Sequence, residues 1–131
     1  MKNIILTLLL LWPTVTFSME CTREEAIQAE ATAAYIKTWS ALEVHFNKYS
    51  HCDDGAISEG YSESVSFLLY SQWKEFLNYP MNDQFYWFII KHNDETWEFN
   101  RTKAISKFAK ENCNQSKKAI CDAIISMENK K

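Results

Sequence analysis

Glycine and proline are scarce, with only two of each in 131 residues. A sandwich or small barrel needs many tight turns, which draw on those two residues, so an all-β fold is excluded at the outset. The chain also lacks a C-x-x-C pair, a Gly-rich phosphate loop and a Ser-centred nucleophile elbow. Thioredoxin-like redox chemistry, nucleotide binding through a phosphate cradle and hydrolysis of the elbow type lose their motifs. Positive charge is in short supply too, at 14 Lys and Arg against 17 Asp and Glu.

The apolar run Ile4 to Trp12 falls short of the roughly 20 residues that a spanning helix needs. Lys2 precedes it, Pro13 interrupts it, and the small residues Thr16 and Ser18 stand where a signal peptidase expects them. This pattern reads as a signal peptide, residues 1–18, cleaved before Met19. The expected product is residues 19–131, a single helical domain exported to the periplasm or secreted. Losing Lys2 leaves 13 basic and 17 acidic side chains, a net charge of −4. Nucleic acid and anionic membrane gain no long-range attraction to such a chain, so neither is an expected partner. Another protein is. The charge is uneven as well: residues 19–100 hold 5 basic and 14 acidic groups, and residues 101–131 hold 8 and 3.

What the chain has in quantity is helical pattern. Thr22 with Glu25 forms a capping box, and Tyr35, Trp39, Leu42, Phe46 and Tyr49 follow at alternating steps of four and three. With no Gly or Pro between residues 22 and 49, one helix of roughly 40 Å is predicted, at 1.5 Å per residue. Residues 50–60 contain both glycines and read as the main loop, and a second helix is predicted from Ser62 to Asn78. Asn82 or Asp83 caps a third, which carries Phe85 to Ile90 and ends at His92. A fourth carries Ala104, Ile105, Phe108 and Ala109 and ends near Asn112. A fifth starts at Asn114 or Ser116 and buries Ala119, Ile120, Ala123, Ile124 and Met127. The expected fold is all-α, a single-domain bundle of about five helices reinforced by disulfides.

Cys21, Cys52, Cys113 and Cys121 in an exported chain are expected to form two disulfides, with three possible pairings. A bridge needs Cα atoms within roughly 7 Å, and a straight helix over 22–49 keeps Cys21 and Cys52 much farther apart. Their direct pairing is therefore not expected. Cys113 and Cys121 can span at most about 28 Å when extended, so crossed pairings strain too. Two bridges require the first helix to bend or start late, or the Cys52 loop to fold back along the bundle; otherwise the local Cys113–Cys121 bridge forms alone.

Three groups of residues are candidates for chemistry. His45, His51, Cys52, Asp53, Asp54 and Glu59 include every ligand type that zinc uses, but the spacing matches no metal pattern and a disulfide would consume Cys52. The same stretch serves as a helix-capping loop. Asp54 and Glu59 are the best pair for general acid and base work, without any sign that they face one another. Ten aromatics lie between Tyr70 and Phe99, and of these Trp73, Tyr86, Trp87 and Trp97 form the candidate protein interface. No catalytic residue, metal or cofactor is assigned.

The segment Tyr49 to Ser62, followed by Ser64, Val65, Leu68 and Leu69, resembles a small family of exported proteobacterial proteins. That family carries a C-D-D-G-x-I-x-E-G-[YF]-S stretch before a helix, with two later cysteines matching Cys113 and Cys121. The resemblance implies a periplasmic helical domain and singles out Cys52, Asp53, Asp54, Gly55, Glu59 and Gly60 as the binding or motif loop. In size, signal, helical content and cysteine usage the chain is also similar to periplasmic immunity proteins that neutralise toxins delivered by type VI secretion. The expected function is a non-enzymatic binding or inhibitory module of that kind. The alternatives are an assembly accessory protein that self-associates through its aromatic helix, or a small metal-dependent enzyme using the His51 to Glu59 loop.

Overall fold

The computed structural model describes residues 19–130, so the predicted signal peptide lies outside the described residues. Those residues form seven α-helices and no strand: α1 (Arg23–Ala33), α2 (Trp39–Tyr49), α3 (Gly55–Ser71), α4 (Trp73–Asn78), α5 (Asp83–Lys91), α6 (Phe99–Glu111) and α7 (Lys118–Glu128). The 3-10 turns Ser50–Cys52 and Gln115–Lys117 precede α3 and α7. This is the expected single all-α domain, with seven helices in place of five. No helix among the described residues is long and apolar enough to cross a membrane.

α3 is the organising helix. It packs against α1 on one side and α6 on another, α6 pairs with α7, and α5 leans on α7. Its apolar residues Ile57, Tyr61, Val65, Leu68 and Leu69 enter the core. They are joined there by Leu42, Phe76, Phe85, Ile89, Ile105, Ile120 and Ile124 from the surrounding helices.

Both extra helix boundaries correct the sequence reading. The predicted helix over residues 22–49 breaks after Ala33, and α2 restarts behind Thr38, whose hydroxyl accepts from the Ala41 amide at 3.1 Å. No Gly or Pro marks this break, because α3 supplies the groups that stabilise it. The Ser64 hydroxyl donates to the Ala33 carbonyl at 2.5 Å and accepts from the Ile36 amide at 3.2 Å. The Gln72 amide donates to the Lys37 carbonyl at 2.7 Å. Backbone groups freed by a helix break need such partners when buried. The predicted loop over residues 50–60 is likewise shorter, since Asp54 caps α3 and the helix begins at Gly55. The helix expected from Ser62 to Asn78 thus starts seven residues earlier and divides at Gln72 into α3 and α4.

The break folds α1 and α2 into a hairpin, so the ends of the predicted helix meet. Cys21 and Cys52 pair directly, with Cα atoms 4.9 Å apart, which overturns the expectation that they could not. The expected bend is what permits it. Cys113 and Cys121 form the second bridge, Cα to Cα 6.5 Å, and no cysteine is free. The remaining boundaries follow the sequence reading: Asn82 caps α5, His92 closes it, Asn112 closes α6 and Asn114 caps the turn before α7.

Candidate functional site

The motif stretch lies where the Cys21–Cys52 bridge, the start of α3 and the end of α5 converge. Its two adjacent acids have opposite fates. Asp54 faces outward and caps α3, accepting from the Gly55 amide at 2.8 Å, while Gly55 takes φ +51°, a left-handed backbone open to glycine. Asp53 turns inward, its side chain 6% exposed, and one oxygen, Oδ2, receives the Lys91 ammonium at 2.6 Å and His92 Nε2 at 2.9 Å. Burial alone would raise the pKa of Asp53; the hydrogen bonds from His92 and Lys91 outweigh it and hold the carboxyl below its ordinary value.

The other face of the His92 ring continues the chain. Nδ1 lies 3.1 Å from the hydroxyl of Ser62, which donates in turn to Asp94 Oδ2. Asp94 Oδ1 accepts from the Thr96 amide at 2.9 Å and from its hydroxyl, and Trp97 Nε1 donates to the His92 carbonyl at 2.9 Å. Burial would raise the pKa of Asp94, and its bonds from Ser62 and Thr96 bring it below the usual carboxylate range. Ser62 has one proton and gives it to Asp94, so towards His92 Nδ1 its oxygen can only accept.

Asp53, His92 and Ser62 are the residue types of an acyl-transfer triad, and their arrangement works against that chemistry. A triad needs an exposed hydroxyl and a ring nitrogen free to take its proton. Here Ser62 is 0% exposed and its proton is committed to Asp94. Asp94 lines an open groove of about 570 Å³, which therefore reaches the carboxylate and not the hydroxyl. The network acts as a clamp, fastening the motif stretch and α3 to the α5–α6 connection.

The candidate metal cluster of the sequence is dispersed. His45 sits between helices, Nδ1 2.8 Å from the Tyr61 hydroxyl and Nε2 2.7 Å from the Thr32 hydroxyl. Burial, with a smaller contribution from Lys48, lowers the His45 pKa, and burial together with Asp53 and Tyr49 raises that of Tyr61. Both stay neutral and tie α1, α2 and α3 together. Glu59 is exposed on α3, Gly60 presses against Ala33, and Asp54 is occupied by its cap. His51 instead faces Glu25 at 3.3 Å. Cys52 is in the disulfide.

The candidate interface also divides. Trp97 is buried, the Trp73 indole donates to the Asn112 carbonyl at 3.0 Å, and the Tyr86 hydroxyl accepts from the Ala119 amide at 3.1 Å, at the start of α7. Only Trp87 of the four remains open, at 62%.

Ser62, Lys91 and Asp94 were not identified as site residues from the sequence, and His92 was read only as a helix end. The available signal was serine on an apolar helix: Ser62, Ser64 and Ser66 of α3 are all fully buried. Comparison with protein-family models, curated proteins and solved structures finds no match to this chain.

Proposed function

We propose that the protein is an exported, non-enzymatic binding module that docks the acidic side of α1 and α3 onto a basic protein surface, as an inhibitor or immunity-type protein would. The observation that carries this reading is the set of acids left without a cationic partner. Glu24, Glu30, Asp54 and Glu59 are exposed on the adjacent α1 and α3 segments, and none forms a described ion pair. Ile27 and Tyr35, 59% and 72% exposed, supply apolar area on α1. The clamp around Asp53 and the Cys21–Cys52 bridge keep this surface preorganised, which lowers the entropy cost of docking. Two disulfides support export to an oxidising compartment, the periplasm or the exterior.

The test is capture of periplasmic and secreted proteins in low salt, followed by titration of the purified partner. A basic partner is expected, with affinity falling as salt rises and dropping about tenfold or more in Asp54→Lys with Glu59→Lys. Failure to recover any basic partner, or an affinity indifferent to both salt and charge reversal, sinks the reading. Self-association through α5 is the second reading, and Trp87 is the observation that favours it. A strict monomer by light scattering at high protein concentration counts against it.

A further inference from the structure

One side chain near the motif meets its neighbour at ion-pair distance without a hydrogen bond. The His51 side chain is 11% exposed, and its Nε2 is fully buried with no hydrogen-bond partner. Glu25 Oε1 stands 3.3 Å away without hydrogen-bond geometry, while Oε2 of the same carboxylate is engaged by the Thr22 amide and hydroxyl. Ligands bound at about 2.0–2.1 Å to a tetrahedral zinc ion stand about 3.3–3.4 Å apart. The observed separation is that edge. Cys52 completes the group: its sulfur, His51 and Glu25 offer ligand atoms within 4.8 Å of one another, and the sulfur of Cys21 is bonded to that of Cys52.

With the bridge closed neither sulfur is a thiolate, so only two good ligands are present and no zinc is held. We propose that opening the Cys21–Cys52 disulfide converts this corner into a tetrahedral zinc site, with Cys21 Sγ, Cys52 Sγ, His51 Nε2 and Glu25 Oε1 as the four ligands. The reductant is a dithiol. Its thiolate attacks the exposed Cys21 sulfur and Cys52 leaves as a thiolate; the second thiol then closes the reductant into a cyclic disulfide and releases Cys21. Two electrons and two protons pass from the dithiol to the bridge, and zinc displaces the two protons.

Geometry leaves room for the change. A tetrahedral site separates two sulfurs by about 3.8 Å, at Zn–S distances of about 2.3 Å. Cys21 precedes α1 and is exposed, so it can step back, while the buried Cys52 stays in place. An open groove of about 430 Å³, lined by Cys21, Ala26, His51, Cys52 and Asp54 among others, provides access. Glu25 is already held below the usual carboxylate range, by the Thr22 hydrogen bonds first and His51 after them. The inference stands apart from the docking reading and needs no protein partner.

The test titrates the full chain with Zn²⁺ and with Co²⁺, oxidised and after reduction by a phosphine. The reduced chain is expected to bind one ion, with a tetrahedral cobalt spectrum and a thiolate-to-metal band. That band should fall by about half in Cys21→Ser, which loses one of two thiolates. Zinc affinity, read by chelator competition, should drop by more than the roughly tenfold that even an outer-shell change costs, in His51→Ala and in Glu25→Gln. Glutamine preserves the capping box, so the second variant separates ligation from helix stability. Cys113→Ser should bind as the parent does, and the oxidised chain should not bind tightly. If reduction unfolds the chain, zinc should restore helicity by circular dichroism in the parent and in Cys113→Ser but not in Cys21→Ser. No one-to-one binding after reduction, unchanged affinity in His51→Ala, or loss in Cys113→Ser in place of Cys21→Ser overturns the proposal.

Discussion

Asp53 and Asp54 are neighbours of one residue type, and the fold gives them opposite tasks. Asp54 holds a helix end in solvent, whereas Asp53 is buried against His92 and Lys91. Neutralising the carboxylate weakens two charge-assisted hydrogen bonds, each worth about 1.5–3 kcal/mol. Asp53→Asn is therefore expected to lose about 3 kcal/mol in chemical denaturation, while Asp54→Asn, still a good cap, stays within about 0.5 kcal/mol. The pH dependence has a definite sign. A carboxyl with a lowered folded pKa contributes stability that is complete above its unfolded value near 3.9 and is lost as pH falls through the folded value. Melting curves below about pH 4 should be shallower in pH for Asp53→Asn than for the parent. A sequence run of two acids contains nothing to say which one turns inward. That choice follows from Gly55, whose left-handed backbone turns the chain into α3, and from a histidine 39 residues away.

At the scale of the elements, the α1–α2 hairpin is the feature that sets the site. Thr38 was the one local sign of a new helix start, and it was masked by an apolar periodicity that runs through the break without a change of phase. Tight approach of α1 to α3 then requires Gly60. A Cβ built there would lie 2.8 Å from the Ala33 Cβ and 3.0 Å from the Ala34 nitrogen, closer than atoms tolerate. Gly60→Ala is expected to push the helices apart and cost about 1–3 kcal/mol, the range of overpacked cores, although alanine is the better helix former. An unchanged or raised melting temperature would show that α1 does not press on α3 at this point. The elements that were legible in the sequence, α5, α6 and the turn leading into α7, carry their own caps at Asn82, Glu98 and Asn114. The break at residues 33–38 was not legible, because Ser64 and Gln72 act on it from elsewhere in the chain.

For the molecule as a whole, the two bridges differ in reach. Cys21–Cys52 closes 31 residues of chain and Cys113–Cys121 closes 8. Loop-closure entropy assigns about 3.7 kcal/mol to the first and about 2.5 kcal/mol to the second. Paired Cys→Ala variants, compared by denaturation at equal salt and pH, should rank in that order. Equal losses would mean that the α1–α2 hairpin is already held in the unfolded reference. Charge is also arranged at this scale. The basic helix α6, with four cationic residues against one acid, pairs with α7, while the acid-rich α1 packs on α3. Lys110–Glu128 and Lys118–Asp122 pair charges on the C-terminal helices, and Glu25 and Glu63 are paired by His51 and Arg101, while Glu24, Glu30, Asp54 and Glu59 on or beside α1 and α3 form no described ion pair.

By itself the sequence determined the fold class, three of the helix starts, the participation of all four cysteines and the acidic bias of the N-terminal two thirds. Each of these depends on composition or on contacts within a few residues. Tertiary structure decided the rest: which cysteines pair, where the first helix ends, which aspartate is buried, and that the aromatic cluster is mostly core. Those outcomes depend on hydrogen bonds and packing between segments 28 to 39 residues apart, such as Ile36 with Ser64 and Asp53 with His92. Local periodicity sees only one face of one helix, so it cannot register a hydroxyl on α3 that caps a break in another.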